Sequence, residues 1–136
     1  MNGPNFIRVM LVDNYDVVRS SLAISLATYA NIEIVAEAAN GLEAIEQCER
    51  TLPDVILMDL MMPEMNGVEA TAIIRERWPV VKIIGLTNSI NAALKQSALD
   101  AGVHEFLLKN ISLKQIATTI QQVTSSNTPE VSNEKG

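Results

Sequence analysis

Cysteine and histidine are almost absent from this sequence, with one residue of each, Cys48 and His104. A single cysteine excludes an intramolecular disulfide, and without a cluster of cysteines and histidines no zinc site is indicated. His104 is predicted to be a surface loop residue.

Long apolar runs are also missing, since none approaches the roughly 18 to 20 residues of a membrane span. The first ten residues, MNGPNFIRVM, lack a basic region followed by an apolar core and do not resemble a secretory signal. We therefore expect a soluble, cytoplasmic domain.

An excess of positive charge is missing too, because the formal net charge of the 136 residues is -6. This balance argues against non-specific binding to nucleic acid or to a membrane surface. With 48% hydrophobic and 19% charged residues, the chain can bury a core and is not disordered overall. The length suits one domain, which we place at residues 1–124. Residues 125–136 are polar and lack periodicity, which predicts a tail or linker.

Two hydrophobic periodicities alternate along the chain. Short apolar runs predict strands, and stripes spaced by three or four residues predict helices. Asn-x-x-Glu or Ser-x-x-Gln sequences resemble helix-starting capping boxes at residues 40–43, 66–69 and 112–115. The strands are predicted at residues 7–13, 32–38, 54–60, 80–87 and 105–109. The helices are predicted at residues 16–29, from 40 to the residue before Pro53, 66–78, 89–100 and from 112 onward. Because the strands are apolar runs rather than alternating ones, both sheet faces should be covered, which predicts five βα units around a parallel sheet.

Polar residues stand where the predicted strands end. The first strand ends in Asp13 and Asn14, the third in Asp59, the fourth in Thr87 and the fifth in Lys109. Ligands of open parallel sheets bind outside these strand ends. Carboxylates and a backbone carbonyl are suitable ligands for Mg²⁺. A carboxylate can also act as a nucleophile on phosphorus. An ammonium and a hydroxyl can stabilise the negative charge of phosphoryl oxygens. Each residue alone is more commonly a turn or cap residue, but together they indicate phosphoryl chemistry.

The chain resembles the receiver domain of bacterial two-component response regulators, the CheY-like family, over residues 6–124. The segment GVHEFLLKN is similar to the NarL/LuxR-type branch of that family. The resemblance implies a doubly wound (βα)5 fold of the flavodoxin/CheY type with strand order 2-1-3-4-5. The motifs that carry it are VDN at 12–14, MDLMMPEMNG at 58–67, LTNS at 86–89 and EFLLKN at 105–110.

The resemblance also implies roles for the acidic residues. Asp59 is implied to accept a phosphoryl group from a phosphohistidine on a sensor histidine kinase. Mg²⁺ is implied to lie against Asp13, Asn14, Asp59 and the backbone carbonyl of Met61, and Pro63 and Gly67 are expected to shape the covering loop. Asn14 departs from the pattern, because the family has a second acid there. Either its amide oxygen serves as a weaker ligand, or the domain is a pseudo-receiver that signals without phosphorylation.

The remaining implied residues belong to the switch and the output. Thr87 and Lys109 are implied to contact the phosphoryl group, and Phe106 occupies the aromatic position whose rotamer follows Thr87. We expect the fourth helix, fifth strand and fifth helix to form the output surface, with a homodimer as one possible product. Relatives in this branch usually bind DNA through a C-terminal helix-turn-helix, which would have to lie beyond this chain.

Enzyme alternatives fit less well. A phosphatase of the haloacid dehalogenase type needs a second aspartate two residues after the nucleophile, where this chain has Met61. A flavin mononucleotide binder needs a phosphate loop rich in serine, threonine and glycine after the first strand, and DNYDVV offers none. Beyond assisting its own phosphorylation and dephosphorylation, the domain is not expected to turn over a substrate.

Overall fold

The computed structural model describes residues 6–62 and 65–125. Over these residues five strands and five helices alternate along the chain, as the periodicities predict. The strands are β1 (Ile7–Val12), β2 (Ile32–Ala38), β3 (Val55–Asp59), β4 (Lys82–Thr87) and β5 (Glu105–Leu108). The helices are α1 (Asp16–Leu26), α2 (Gly41–Thr51), α3 (Gly67–Arg77), α4 (Ala92–Ala101) and α5 (Leu113–Ser125). None of the helices in these two segments is long and apolar enough to cross a membrane.

The strands form one parallel sheet in the order β2-β1-β3-β4-β5, which confirms the implied topology. The central strand β3 is buried at all five positions, which explains why its sequence, VILMD, is an apolar run that ends in one acid. Because the strands are parallel, their carboxyl ends meet at one edge of the sheet. That edge carries Asp13, Asp59 and Lys109.

Two apolar layers cover the sheet. Successive residues of a strand point to opposite faces, so Met10 packs with α2, α3 and α4 on one side, and Leu11 packs with α1 and α5 on the other. Each fully buried aliphatic side chain of this size stabilises the fold by about 1.5–3 kcal/mol. The predicted stripe of α5 lies in the second layer, with Ile116, Ala117 and Ile120 buried. These two layers fix the strands, and the strands fix the groups at their ends.

The inner face of α2 differs from the prediction. The spacing of Leu42, Ile45 and Cys48 predicts that these residues line one side of the helix, but Leu42 is 56% exposed, whereas Gly41, Ala44 and Cys48 are buried. The helix turns small residues toward the sheet because its first turn packs tightly, and a Cβ atom on Gly41 would lie 2.7 Å from the side chain of Met65.

Asparagine side chains cap the starts of α2, α3 and α4, whereas α1 begins after Tyr15 without a side-chain cap. At α3 the capping box is complete, because Asn66 accepts from the N–H of Glu69 and the Glu69 side chain accepts from the N–H of Asn66. The prediction that α4 begins at Ser89 is wrong, since the helix begins at Ala92 with Asn91 as its cap. The Asn91 side chain accepts a hydrogen bond of 2.8 Å from the backbone of Leu94 and sets that boundary.

Strand β2 lies at one edge of the sheet and carries a bulge. Val9 pairs with Ile34 while the next residue, Met10, pairs with Ala36. Val35 is therefore an extra residue in β2 without a partner in β1.

Candidate functional site

One ammonium group joins two carboxylates at the carboxyl edge of the sheet. The Nζ atom of Lys109 lies 3.0 Å from Oδ2 of Asp13 and 3.0 Å from Oδ2 of Asp59. All three side chains are largely buried, and that of Asp59 is only 2% exposed. The structure thus brings together three of the residues that the strand-end pattern selected.

Asp59 is held at both of its oxygens. Oδ1 accepts a hydrogen bond of 3.0 Å from the backbone N–H of Met61, and Oδ2 faces Lys109. Burial raises the pKa of the Asp59 carboxyl above its usual value, while the Met61 amide and Lys109 partly oppose that rise. A raised pKa makes the carboxylate more basic, and its two contacts fix its direction. These are properties that suit a nucleophile.

Lys109 is stabilised in its charged form. Burial alone lowers the pKa of its ammonium, but the hydrogen bonds and charges of Asp13 and Asp59 raise it more, so that the pKa lies above its usual value. The site therefore holds a cation that can meet an incoming anionic group without first having to gain a proton.

The loop after β1 contains an unsatisfied acceptor. Asp13 is fully engaged there: Oδ1 accepts from the N–H of Tyr15 at 2.8 Å, and its backbone carbonyl accepts from Arg19 at 2.6 Å. In contrast, the buried Oδ1 atom of Asn14 has no hydrogen-bond partner among the residues that the structure describes. Such an orphaned oxygen carries a desolvation penalty that a ligand could remove.

The oxygen atoms at this edge fit a magnesium ion. Within the described segments, no group of three or more His, Cys, Asp and Glu side chains is placed to hold a metal. Oxygen donors are nevertheless available from the carboxylates of Asp13 and Asp59, which both contact Lys109. The amide oxygen of Asn14 follows Asp13 directly in sequence, and the backbone carbonyl of Met61 comes two residues after Asp59. Mg²⁺ prefers oxygen ligands and keeps several waters, so a small protein set suffices.

The loop that follows Asp59 is shaped by a close backbone approach. The side chain of Met61 is exposed, and Pro63 lies outside the described residues. Gly67 begins α3 directly against the end of β3. A Cβ atom there would overlap the carbonyl oxygen of Asp59 and would lie 2.8 Å from Cα of Leu60. Glycine is therefore required for α3 to start beside the candidate nucleophile.

Thr87 adjoins this site through its backbone, since its carbonyl accepts a hydrogen bond of 2.9 Å from the N–H of Lys109. Its hydroxyl does not point to the site. The Thr87 hydroxyl is buried and donates to the backbone carbonyl of Ser89 at 2.9 Å. Phe106 pairs with Gly85, two residues before Thr87, so its side chain lies on the same face of the sheet. It is half-buried against the apolar layer that contains α2, α3 and α4.

Sequence reasoning missed Arg19, whose guanidinium donates to the backbone of Asp13. The available signal was weak, namely a basic residue one turn into α1.

The prediction that His104 is a surface loop residue is inaccurate, since its side chain is partly buried. Its Nδ1 atom accepts a hydrogen bond of 3.0 Å from the N–H of Ile83. Burial, with help from Arg75 and Lys82, lowers the pKa of His104 to about 4.

Comparison with known sequences identifies the family. The chain matches the response regulator receiver domain over residues 9–121. Response regulator protein VraR from Staphylococcus aureus is 42% identical over 118 residues, which make up 87% of this chain and 56% of VraR. The chain therefore spans about half the length of the curated relatives it matches.

Solved structures give the same result. The receiver domain of the response regulator NarL from Mycobacterium tuberculosis superimposes with a TM-score of 0.85 at 27% identity, covering 90% of this chain and 98% of that one. A DNA-binding response regulator of the LuxR family from Staphylococcus aureus superimposes with a TM-score of 0.81 at 26% identity, covering 87% and 98%. Receiver domains of this family typically bind Mg²⁺. This chain belongs to the response regulator receiver domain family of two-component systems, and its structural relatives include NarL and a LuxR-family regulator.

Proposed function

We propose that Asp59 is the phosphoacceptor of this receiver domain and takes its phosphoryl group from a phosphohistidine on a sensor histidine kinase. The observation that carries the proposal is the position of Asp59 at the end of β3, buried and 3.0 Å from the ammonium of Lys109. Response regulators in general receive their signal from such kinases.

The proposed reaction is a transfer between two protein side chains. A carboxylate oxygen of Asp59 attacks the phosphorus atom, and a P–O bond forms while the P–N bond to the kinase histidine breaks. The kinase imidazole, protonated on its other ring nitrogen, leaves as the neutral ring with the electron pair of that bond, and Asp59 becomes an acyl phosphate. Lys109 neutralises charge on the phosphoryl oxygens, and the Thr87 hydroxyl supplies a hydrogen bond once it is released from Ser89.

Asp13, Asn14, Asp59 and the backbone carbonyl of Met61 would hold Mg²⁺ in this site. The ion would supply further positive charge against the phosphoryl oxygens. The support for Asn14 is its buried Oδ1 atom, which accepts no hydrogen bond from any described residue. The support for Asp13 is its position 3.0 Å from the same ammonium that contacts Asp59.

A mass measurement tests the phosphoacceptor. The wild-type domain, treated with acetyl phosphate and Mg²⁺, should gain the mass of one phosphoryl group, and Asp59→Asn should gain none. Asp100→Asn is the matched control, because Asp100 is an exposed acid on α4. Label on Asp59→Asn would contradict the assignment.

A pseudo-receiver that signals without phosphorylation is the second candidate. The amide at Asn14, where the family has an acid, is the observation that favours it. The same measurement separates the two functions, because a pseudo-receiver would gain no mass at any Mg²⁺ concentration.

The proposed output surface consists of α4, β5 and α5. Its support is that Thr87 holds the loop before α4 through Ser89, and that Phe106 lies on the same sheet face. A local change at the site can therefore bias the packing of this surface. Beryllofluoride with Mg²⁺ should shift NMR signals there and promote dimers in analytical ultracentrifugation. Shifts confined to the region around α2 would contradict this surface.

We further propose that the domain controls a DNA-binding output domain. The supporting facts are the length of VraR, of which this chain spans 56%, and the similarity to a LuxR-family regulator described as DNA-binding. The coding sequence after residue 136 tests the proposal. It should encode a helix-turn-helix, and a stop codon there would contradict it.

A further inference from the structure

Arg19 is tied to three different groups around the β1–α1 loop. Its Nη1 atom donates to the backbone carbonyl of Asp13 at 2.6 Å. Its Nη2 and Nε atoms lie 2.9 Å from Asp16 and 3.0 Å from Glu37. The Arg19 side chain is only 13% exposed, although its partners Asp16 and Glu37 are 79% and 36% exposed. The flat guanidinium fork thus connects α1, the end of β2 and the end of β1.

The contact with Asp13 is important because of the peptide bond to which that carbonyl belongs. The carbonyl is part of the planar unit that joins Asp13 to Asn14, so a donor that fixes its oxygen also fixes the direction in which Asn14 leaves the strand. The other two acceptors of Asp13 are held by Tyr15 and Lys109. Arg19 therefore orients the peptide bond between Asp13 and Asn14, the two candidate metal ligands of this loop.

We propose that Arg19 is a positioning residue for the Mg²⁺ site. It touches neither the phosphoryl group nor the metal. It orients the Asp13–Asn14 peptide so that the free Oδ1 atom of Asn14 faces the same edge as the carboxylates of Asp13 and Asp59. This inference rests on the proposed function and adds to it a residue outside the set that the strand ends indicate.

A purely electrostatic effect of Arg19 would have the opposite sign. A cation beside a metal site repels Mg²⁺, so its removal would strengthen binding, all the more because Asp16 and Glu37 would keep their negative charges. Loss of positioning weakens binding instead. Arg19→Lys separates the effects further, because it keeps the charge while a single ammonium cannot reproduce the three directions of the guanidinium fork.

The test compares Arg19→Lys and Arg19→Gln with wild type in calorimetric titrations with Mg²⁺. Both variants should bind Mg²⁺ about tenfold more weakly, the size of effect found for groups that orient metal ligands. In metal-free buffer, amide hydrogen exchange at Asn14 and Tyr15 should become faster. The matched control is Arg8→Lys, since Arg8 also donates to a backbone carbonyl, that of Leu52 at 2.8 Å, at the opposite edge of the sheet. This control should bind Mg²⁺ as wild type does.

Three results would overturn the positioning role: unchanged binding by Arg19→Lys, tighter binding by Arg19→Gln, or equal weakening by Arg8→Lys. If Arg19→Gln does not fold, Arg19→Lys alone decides between these outcomes. Absence of Mg²⁺ binding by the wild-type domain would overturn the metal site and the positioning role together. Wild-type binding with unaffected Arg19 variants would overturn the positioning role alone and leave the proposed function standing.

Discussion

The Nζ atom of Lys109 lies 3.0 Å from Oδ2 of Asp59, in a setting where the carboxylate is almost completely shielded from water. The same ammonium reaches Asp13 at the same distance. Two buried carboxylates are thus compensated by one cation. Removing that cation leaves both acids without a salt-bridge partner among the residues that the structure describes.

Lys109→Met should therefore destabilise the metal-free domain. We expect the free energy of unfolding to fall by about 3 kcal/mol, the lower end of the range for breaking a buried ion pair. Mg²⁺ should restore part of the loss, because it supplies positive charge to the same carboxylates. Urea denaturation with and without Mg²⁺ measures both effects. Lys114→Met, an exposed position on α5, is the control, and equal losses in the two variants would contradict the expectation.

Asn14→Asp should strengthen Mg²⁺ binding. A unit charge pair 4 Å apart is worth roughly 4 kcal/mol at an effective dielectric of 20, which is an upper bound because desolvation offsets much of it. If about 1.4–2.8 kcal/mol remains, the affinity rises about ten- to hundredfold and labelling of Asp59 becomes faster. Without metal, the added acid should lower stability through repulsion by Asp13 and Asp59.

Titration of NMR signals with Mg²⁺ checks the Asn14→Asp prediction. Asn110→Asp is the matched control, because it adds the same charge at an exposed position next to Lys109. Equal affinities of wild type and Asn14→Asp would mean that residue 14 does not contact the metal.

Gly67→Ala should be strongly destabilising. The added Cβ atom meets backbone atoms of Asp59 and Leu60, which cannot move without displacing the end of β3. We expect a loss of about 3 kcal/mol or more, the upper range for overpacking. Gly85→Ala is the control, because its Cβ atom would lie 2.9 Å from a terminal methyl group of Leu60, which can shift. A loss at Gly85 as large as that at Gly67 in chemical denaturation would refute this explanation.

His104 should make stability depend on pH. Its pKa is about 4 in the folded domain, below the ordinary value of 6.5 that applies to the unfolded chain. The unfolded chain therefore binds the proton first, and this contribution to stability is fully present above pH 6.5 and is lost as the pH falls toward 4. At about 1.4 kcal/mol per pKa unit, the loss reaches about 3 kcal/mol.

His104→Asn is the variant for that measurement, since its amide oxygen can still accept from the N–H of Ile83 but does not titrate. The stabilities of wild type and variant should converge or cross as the pH falls through this window. Parallel curves in denaturation experiments at successive pH values would rule out His104 as the cause.

Most of the fold was predictable because the local signals agree with the tertiary contacts. The apolar run of β3 is fully buried, and Asn66 with Glu69 begins a helix where the capping pattern predicts one. Asp59 and Lys109 were selected because each follows or ends a predicted parallel strand, and their side chains lie at hydrogen-bonding distance. In these cases each residue's neighbours in sequence already determine its environment.

Other features depend on contacts that the sequence does not reveal. Leu42 is exposed because α2 presents its small residues to the sheet, a choice made by the close packing of its first turn. Ser89 does not begin α4, since its carbonyl accepts from Thr87 and Asn91 provides the cap. Arg19 reaches the backbone of Asp13 only because α1 folds back along the sheet. Each of these outcomes requires the three-dimensional structure.

The unpaired Val35 in β2 affects how copies of this domain can meet. The open edge of a sheet is a template for strand addition, and proteins commonly block it with a bulge or with charge. Here the bulge interrupts the even spacing of hydrogen-bonding groups, and the exposed Glu33 and Glu37 place two negative charges along the same strand. A second molecule that approached through β2 would meet like charges and a discontinuous ladder. The border at β2 is thereby a poor template for strand addition, which lowers the tendency to extend the sheet through this strand at high concentration.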